Sequence, residues 1–316
     1  MRESTIKISV VTPTLRRPDE VVGMLQNLSK QTLLPHEVIL VDGAPPEENE
    51  TETKVQNISH LCPFEIRYIR RGGGTAIQRN IGIDEATGSM ISFIDDDIRL
   101  EPDFFEQMAV GFEKDVSESV GGIAGYITNQ HFAVETSSRW NWYKRLRLLT
   151  TYTPGFYDFK TGIPINRYLY PPHSSLRTIQ CMGAGCAVWR KSVFDQGLRF
   201  SHFFSDYGVL EDAHLALCAG KYWVLQENGS ARCEHLHSQN SRANRRRIGY
   251  KCVVNYYFVF LDICGPLSML QKIRFWRFQT FELFRIAISA LHRRRWDDVR
   301  ELLGRFEGFF RVLRGL

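Results

Sequence analysis

Short apolar runs alternate with helix-like segments over the first 127 residues of the chain. Residues 18–30 and 75–86 repeat apolar positions at helical spacing. Four β-type runs lie at residues 6–11, 38–41, 66–69 and 90–94. Strands and helices that alternate in this way form βαβ units, in which the strands are parallel and the helices cover both faces of the sheet. The pattern therefore predicts an α/β fold with a Rossmann-like, mainly parallel central sheet.

The periodicity weakens over residues 128–178, which are rich in Tyr, Trp, Arg and Pro. We interpret this stretch as a region of inserted loops. Regular structure resumes with a predicted strand at 186–189, which follows the small residues Gly183-Ala184-Gly185 that allow close backbone approach. Further on, Glu211 and Asp212 open a short predicted helix.

The C-terminal part contains two apolar stretches of different kinds. Residues 252–270 are interrupted by Asn255, Asp262 and the Gly265-Pro266 pair, so we do not expect a membrane-spanning helix there. Residues 296–313 carry apolar side chains at helical spacing, with arginines between them. A basic amphipathic helix of this kind either lies on an anionic lipid surface or packs against protein, and the pattern leaves both readings open.

The positive charge of the chain is concentrated at its C-terminal end. The net charge is +5, and residues 271–316 alone carry eleven Lys or Arg against five Asp or Glu. Attraction to an anionic surface therefore belongs to the tail and not to the rest of the chain. Because the arginines of the tail interleave with an apolar face, we expect no nucleic-acid partner.

The cysteines and the N-terminus indicate the compartment. The seven cysteines are an odd number, are scattered and never form a C-x-x-C pair, which disfavours both a disulfide framework and a zinc site. The first residues enter a β-type run without a long apolar segment, so we expect no secretory signal and a cytoplasmic location.

The most informative motif is the run of three carboxylates, Asp95, Asp96 and Asp97, directly after the apolar residues 90–94. Adjacent like charges raise one another's pKa values, so they are most easily accommodated beside a cation. From the triplet alone, a divalent metal site and a solvated acidic turn both remain open.

Three other predicted strand ends carry groups that suit a ligand. They are Thr12-Pro13-Thr14, Asp42-Gly43 and the segment 70–74, which holds two arginines and three glycines. In parallel sheets, ligands bind beyond the carboxyl ends of the strands. Together with the aspartate triplet, these ends predict one binding site along one edge of the sheet.

The order and spacing of these motifs over residues 6–240 resemble a family 2 glycosyltransferase with the GT-A nucleotide-diphospho-sugar transferase fold. The segments that carry the resemblance are ISVVTPTLRR, EVILVDGAP, RGGGTAIQRNIGIDEATG, MISFIDDDI, GAGCAVWRKSVFDQG and LEDAHLALCAGKYWV. The resemblance implies an inverting transfer from a nucleoside-diphosphate sugar to a hydroxyl of a saccharide or lipid-linked acceptor, in the assembly of surface polysaccharides or other glycans. It also implies a divalent metal, Mn²⁺ or Mg²⁺.

The resemblance assigns roles to individual residues. Asp97 is the expected principal metal ligand, and Asp95, His235 and His237 are further metal candidates. The two histidines are expected on the same side of a strand. Asp42 corresponds to the carboxylate that contacts the nucleobase. The residues expected to bind the nucleotide or the donor sugar are Thr12, Pro13, Asp42, Arg71, Arg79, Asn80, Asp95, Asp96, Gly183, Ala184 and Gly185.

Asp212 and Glu211 are the catalytic candidates that the resemblance implies. Asp212 is the expected general base, and Glu211 is expected to shape the site or bind the acceptor. The basic segment 238–247 is either a lid over the diphosphate or a solvated charge run.

These assignments divide the chain into a GT-A catalytic domain, residues 1–250, and a basic amphipathic helical tail, residues 251–316. The catalytic domain comprises a nucleotide-binding half (1–127), inserted loops (128–178) that are able to cover an acceptor, and an acceptor and catalytic half (179–250). If the tail binds lipid, the protein is expected on the inner face of the plasma membrane.

Two other functions compete with glycosyl transfer. A sugar-1-phosphate nucleotidyltransferase shares the sheet architecture, but the segment after the first strand lacks the glycine-rich, basic loop that holds a triphosphate in such enzymes. A non-catalytic nucleotide-sugar-binding or scaffold protein has no need of Asp95, Asp97 and Asp212, all of which are present.

Overall fold

The computed structural model of the chain describes residues 6–132, 138–204, 208–237, 244–293 and 295–315. The contacts divide the chain into two compact units. Unit 1 comprises Met1–His131 and Tyr170–Ser241, and unit 2 comprises Phe132–Leu169 and Arg242–Leu316.

The strands and helices of the described residues are as follows. The strands are β1 (Ile8–Thr14), β2 (Glu37–Asp42), β3 (Glu65–Arg70), β4 (Met90–Ile94), β5 (Ile98–Leu100), β6 (Val120–Ile127), β7 (Tyr157–Asp158), β8 (Ile163–Pro164), β9 (Leu176–Ile179), β10 (Cys186–Arg190) and β11 (Val224–His235). The helices are α1 (Pro18–Leu28), α2 (Glu50–Ser59), α3 (Thr75–Glu85), α4 (Phe104–Glu113), α5 (Ser138–Arg145), α6 (Ser192–Asp195), α7 (Glu211–Ala219), α8 (Arg245–Cys264), α9 (Met269–Arg293) and α10 (Trp296–Leu313).

Nine strands of unit 1 form one sheet in the order β3-β2-β1-β4-β10-β6-β11-β5, with β9 paired to β11. β1 is parallel to both β2 and β4, and β2 is parallel to β3. β10 runs antiparallel between β4 and β6, whereas β6 and β11 are again parallel. The predicted α/β class with a mainly parallel central sheet and a helical C-terminal part is confirmed.

The central strands of this sheet are buried along their whole length, as strands covered by helices are. β1 was predicted to end at Val11 but continues to Thr14, because β2 runs beside it as far as Asp42. β4 pairs with β1 only as far as Phe93, so Pro13, which has no N–H to donate, lies where β1 has lost that neighbour. The carboxyl ends of β1, β2 and β4 therefore lie next to one another.

In unit 2, the stretch predicted as loops contains the helix α5 and the β7–β8 hairpin. Trp140 and Tyr143 of α5 are buried in one apolar cluster with Phe278 of α9. The aromatic residues that obscured a helical period in the sequence thus form a core with the C-terminal helices. This packing explains why contacts group residues 132–169 with the tail, whereas the sequence placed them in the catalytic domain.

The amphipathic helix predicted over residues 296–313 is observed as α10, which packs closely on α8. A Cβ added at Gly304 would lie 1.8 Å from the carbonyl oxygen of Arg246, and one added at Gly249 would lie 2.1 Å from that of Glu301. Because the glycine face of α10 is turned to α8, several apolar side chains stay exposed, among them Leu303, Phe306 and Phe310. Among the described residues, no helix combines the length and the apolarity that crossing a membrane requires.

Candidate functional site

Asp96, the middle residue of the aspartate triplet, is directed into the protein. It is 1% exposed, accepts a hydrogen bond from Thr14 Oγ1 at 2.7 Å and forms an ion pair with Arg17. Burial raises the pKa of Asp96 to about 7, although the Arg17 charge opposes the increase. Asp96 therefore fixes the middle of the triplet to β1 through Thr14 and holds Arg17 next to Asp97.

Asp97 lies between two nitrogen donors. Its Oδ2 is 3.0 Å from Arg17 Nη2, and its Oδ1 is 3.1 Å from His235 Nε2. Burial alone would raise the pKa of Asp97, but the hydrogen bond and charge of His235, together with Arg17, hold it below its usual range. Asp97 is therefore ionised at neutral pH and has a nitrogen ligand candidate beside it.

His235 reaches Asp97 from the last residue of β11. The backbone N–H of Leu236 donates to the carbonyl oxygen of Asp97 at 2.9 Å, which fixes the end of β11 against the triplet. Burial alone would lower the pKa of His235, but its hydrogen bond to Asp97 and the charge of that carboxylate outweigh burial and raise the pKa.

The expectation that His235 and His237 lie on one side of a strand is wrong. β11 ends at His235, and His237 has a left-handed backbone with φ of 52°. The turn nevertheless brings the two rings together, with centroids 4.0 Å apart. His235 contacts Asp97, and His237 lies against the ring of His235.

Arg79 connects the aspartate triplet to the Glu211-Asp212 pair. Its side chain is 5% exposed, with Nη2 2.9 Å from Asp95 Oδ1 and Nη1 3.2 Å from Glu211 Oε1. Gly185 packs against the same aspartate, because a Cβ at this position would lie 2.5 Å from Asp95 Oδ2. One buried guanidinium therefore holds the carboxylate of Asp95, which follows β4, close to the carboxylate of Glu211 in α7.

Glu211 and Asp212 occupy the first turn of α7, where the helix dipole favours negative charge. Burial raises the pKa of both carboxyls, and the mutual repulsion of the pair adds to this for Glu211. The Arg79 charge opposes both shifts, and the N–H groups of Ala213 and Ala184 donate to Asp212. A carboxylate with a raised pKa in a polar pocket is a better proton acceptor than a free one.

The backbone around this pair is constrained. Leu210, directly before α7, has a left-handed conformation with φ of 77°, which is costly for a residue other than glycine. A Cβ at Gly183 would lie 3.4 Å from Asp212 Oδ2, so the Gly183-Ala184-Gly185 segment passes close to both Asp212 and Asp95. These glycines therefore lie beside the catalytic candidate Asp212.

Asp42 lies at the carboxyl end of β2 and is fully buried. Its Oδ1 accepts a hydrogen bond from the N–H of Ala44 at 2.8 Å, and its Oδ2 accepts one from the Tyr68 hydroxyl. Burial and the Asp42 carboxylate raise the pKa of Tyr68, which therefore stays a hydrogen-bond donor. Asp42 is therefore held rigidly at the carboxyl end of β2.

Thr12 and Pro13 belong to the buried part of β1. The Thr12 side chain is fully buried, and its Oγ1 lies 3.3 Å from Met24 Sδ of α1. Thr14 is the β1 residue whose side chain contacts the triplet, through Asp96.

Arg71 and Asn80 take different positions around the edge. Arg71 is exposed, and its backbone N–H donates to the carbonyl oxygen of Asp42 at 2.7 Å. Asn80 exchanges two hydrogen bonds with the backbone of Phe200, at 2.9 and 2.8 Å. The structure therefore uses the Asn80 amide to fix the chain near Phe200, against which Arg79 also packs, 5.5 Å from the ring centroid.

The predicted lid, residues 238–247, lies only in part within the described residues. Residues 238–243 lie outside them. Arg245, Arg246 and Arg247 form the first turn of α8, and the Asn244 side chain accepts a hydrogen bond from the N–H of Arg246 at 2.9 Å. The end of the segment is therefore a capped helix start and not a loop.

The donor atoms at Asp97 and His235 fit a divalent cation. A carboxylate oxygen and an imidazole nitrogen lie 3.1 Å apart, a separation that a shared ion bridges with a small adjustment of either side chain. Oxygen donors suit Mg²⁺ and Mn²⁺, whereas an imidazole is an unusual ligand for Mg²⁺, so this pair suits Mn²⁺ better.

Some residues of the site carried no distinct signal in the sequence. Arg17 follows a strand in a run of two arginines, and no spacing rule singles out which of the two turns inward. Gln130, in the turn after β6, and Tyr68, on β3, reach the site through side-chain hydrogen bonds. Such contacts depend on sheet order, which the sequence did not supply.

In a comparison with protein families, the model of glycosyl transferase family 2 matches residues 9–197. The uncharacterized glycosyltransferase YwdF of Bacillus subtilis is 28% identical over 159 residues, which are 47% of this chain and 56% of the relative. The glycosyltransferase GlyG of Streptococcus pneumoniae is 27% identical over 40% of this chain and 46% of its own length. The chain thus spans about half the length of these relatives.

Solved structures resemble this chain in fold. The mannosyltransferase PcManGT of Pyrobaculum calidifontis, in complex with GDP-Man and Mn²⁺, has a TM-score of 0.57 and 14% identity, over 96% of this chain and 87% of the other. S. aureus TarS 1-349, in complex with UDP-GlcNAc, has a TM-score of 0.51 and 14% identity, over 86% of this chain and 71% of the other. At this identity the likeness concerns the fold, and it confirms the predicted GT-A architecture.

Proposed function

Because the chain belongs to glycosyl transferase family 2, we propose that it transfers a sugar from a nucleoside-diphosphate sugar to a hydroxyl of a saccharide or lipid-linked acceptor, with inversion at the anomeric carbon. One observation carries the proposal. Arg79 holds Asp95 of the aspartate triplet and Glu211 of the Glu211-Asp212 pair, so the groups for donor binding and for proton removal meet at one edge of the sheet. PcManGT, a mannosyltransferase of similar fold that was solved with GDP-Man and Mn²⁺, supports the proposal.

The proposed donor site follows the strand ends. Asp42, fixed by Ala44 and Tyr68, lies where the base would bind, and Arg71 is exposed beside the same turn. Asp95 is the more exposed carboxylate of the Arg79 contacts, with a third of its side chain accessible, and is placed to meet the ribose or the diphosphate. The glycines that flank Ala184 let the backbone pass close to Asp95 and Asp212, and the donor sugar would lie next to this segment.

Asp97 and His235 would hold the metal, with Asp95 as a further candidate. When bound, a divalent cation supplies Lewis-acid neutralisation of the departing diphosphate. Arg17 has a complementary role in the metal-free protein, since its guanidinium neutralises part of the charge of Asp96 and Asp97.

Asp212 would act as the general base. The acceptor oxygen attacks the anomeric carbon while its proton passes to a carboxylate oxygen of Asp212, and the bond to the diphosphate oxygen breaks. Burial raises the pKa of Asp212, which makes it a stronger base, while Arg79 and the N–H groups of Ala184 and Ala213 keep it available in the ionised form. Glu211 is tied to Arg79 and orients the start of α7.

The turnover of candidate donors tests the proposed function. The full chain is incubated with UDP-, GDP- and dTDP-sugars and Mn²⁺, and NMR follows the slow transfer to water. We expect one class of nucleotide to be released, together with a free sugar. The anomer of this sugar that forms first should have the configuration opposite to that of the donor. The proposal would be contradicted if no nucleotide were released, or if the anomer that forms first had the same configuration as the donor.

The affinity of the protein for Mn²⁺ is expected to increase with pH. The raised pKa of His235 means that its Nε2 carries a proton at lower pH, and this proton must leave before the nitrogen binds a cation. Below that pKa the affinity should rise up to about tenfold per pH unit, and above it the affinity should level off. Mn²⁺ titrations at several pH values measure this.

His235→Gln is the matched variant for that measurement, because it removes the titrating ligand but leaves Asp96, whose pKa is also shifted. We expect weaker binding and a flatter pH profile. A wild-type affinity that does not change with pH would exclude His235 as a ligand.

We also propose a cytoplasmic enzyme that contacts the inner face of the plasma membrane through α10. Seven free cysteines suit a reducing compartment. The exposed apolar residues of α10 lie on a helix that also exposes Arg300 and Arg311, and exposed Arg314 follows directly after it. This combination suits an anionic leaflet. A role in surface-glycan assembly, with a lipid-linked acceptor, follows from this location.

Vesicle binding tests the membrane contact. We expect the intact protein to sediment with anionic vesicles and the triple variant Leu303→Ser, Phe306→Ser, Phe310→Ser to bind at least about tenfold more weakly, since each apolar side chain loses burial in the bilayer. All three side chains are exposed, so the fold should be kept. Val116→Ser with Tyr222→Ser, at exposed positions of unit 1, is the control. Equal binding of all proteins, or no binding, would contradict the proposal.

A further inference from the structure

A short turn after β6 lies against the end of β11 and contacts the proposed metal ligand. It is the 3₁₀ turn Thr128–Gln130. Asn129 exchanges two hydrogen bonds with the backbone of His235, donating from Nδ2 at 2.9 Å and accepting at Oδ1 at 3.1 Å. The Gln130 amide nitrogen lies 2.7 Å from His235 Nδ1 and 3.3 Å from His237 Nε2. Asn129 thus fixes the backbone of His235, and Gln130 faces its ring.

The orientation of the Gln130 amide is coupled to which nitrogen of a neutral His235 carries the proton. An amide N–H donates, so Nδ1 must accept with its lone pair, and the ring proton then lies on Nε2. Nε2 is the atom that faces Asp97 Oδ1 at 3.1 Å, where this proton makes a hydrogen bond. In this tautomer, His235 supplies a hydrogen-bond donor to the Asp97 carboxylate.

A bound cation requires the opposite arrangement. The lone pair of Nε2 must face the ion, the proton must lie on Nδ1, and Nδ1–H then needs an acceptor. A half-turn of the Gln130 amide places its oxygen at that position without moving the backbone. A glutamine can therefore serve both states, whereas a carboxylate can only accept and an apolar side chain can do neither.

We propose that Gln130 is a positioning residue for metal binding, which sets the tautomer of His235 through the orientation of its amide. The inference rests on the proposed function, because it takes His235 as a metal ligand. Gln130 does not touch the cation and acts through His235. Hydrogen-bond partners of metal-bound histidines commonly change metal affinity by 10- to 100-fold.

Two variants of the full chain test this role, with Mn²⁺ alone as the probe. Free Mn²⁺ is followed by its EPR signal at a pH above the pKa of His235 in each variant, where the ring is neutral. Gln130→Leu should bind Mn²⁺ about 10-fold to 100-fold more weakly, because Nδ1 loses its acceptor. Gln130→Glu should bind Mn²⁺ about 10-fold to 100-fold more tightly than the wild type, because a carboxylate favours the Nδ1–H form. Gln56→Leu and Gln56→Glu, at an exposed position of α2, are the controls.

A second readout needs no metal. ¹⁵N NMR of the His235 ring in the metal-free protein should show a proton on Nε2 alone in the wild type. In Gln130→Glu it should show a proton on Nδ1 as well, because carboxylates then face both ring nitrogens. Unchanged tautomers, or Mn²⁺ affinities that fall equally in both variants, would mean that Gln130 only packs, and would overturn the inference. A wild type that binds no Mn²⁺ while its tautomer responds to Gln130→Glu would instead refute the metal site of the proposed function.

Discussion

Replacement of Asp212 by asparagine is expected to lower glycosyl transfer by a factor on the order of 10² or more, while donor binding stays close to that of the wild type. An amide cannot accept the acceptor proton, so the attacking oxygen loses its base. Asparagine has nearly the same shape and still accepts hydrogen bonds from the N–H groups of Ala213 and Ala184, so the start of α7 should be preserved.

The effect of this variant is measured as single-turnover transfer, with donor binding measured separately. Asp195→Asn, at an exposed position of α6, is the matched control and should transfer at the wild-type rate. Wild-type transfer by Asp212→Asn would remove Asp212 from the role of base. Loss of donor binding together with transfer would show that Asp212 holds the donor instead.

Replacement of Asp97 by alanine is expected to abolish the metal dependence of nucleotide binding. The variant removes the carboxylate that contacts His235 and leaves a single imidazole facing the ion. One nitrogen ligand does not retain Mn²⁺ or Mg²⁺, which prefer several oxygen donors. Arg17 keeps its ion pair with Asp96, so the fold around the triplet should persist.

Calorimetric titration of the nucleotide with and without Mn²⁺ measures this second effect. We expect the stimulation by metal to fall at least tenfold, to roughly none, in Asp97→Ala, whereas Asp195→Ala should behave as the wild type. Equal stimulation in Asp97→Ala and the wild type would show that Asp97 is not a ligand.

The strands and helices that were easiest to predict are those whose burial leaves a strong pattern. β4 was predicted over the same residues as observed, because an apolar run that ends in three aspartates has sharp limits. By contrast, α2 buries only Thr51 and Val55, so its apolar positions are too few to show a helical period. The limit of β1 at Thr14 depends on how far β2 runs beside it, which is a property of the sheet.

The candidate site was predictable where the resemblance supplied spacing and not where it required geometry. The sequence and the resemblance placed the aspartate triplet, Arg79 and the Glu211-Asp212 pair near one edge. They did not indicate that Arg79 joins the two carboxylate groups, because a buried arginine between elements 132 residues apart has no local signal. Arg17 was missed for the same reason, since its partners Asp96 and Asp97 lie in the turn between β4 and β5.

The histidines show the limit of a rule based on strand alternation. His235 and His237 are two residues apart, and the strand rule predicted one side for both. The strand ends at His235. The two rings come together because His237 has a left-handed backbone, and not because the residues alternate along a strand. Only the contact with Asp97 distinguishes His235, and such a contact is determined by the pairing of β11 with β5 and β6.

A thermal-shift measurement of the purified full chain with UDP, GDP, dTDP and CMP, each with and without Mn²⁺, tests most directly the claim that the sheet edge is a metal-dependent nucleotide-sugar site. The account predicts that one nucleoside diphosphate raises the melting temperature only when Mn²⁺ is present, and that this increase is lost in Asp97→Ala. A shift of the same size without metal, or no shift with any of the nucleotides in the presence of Mn²⁺, would contradict it.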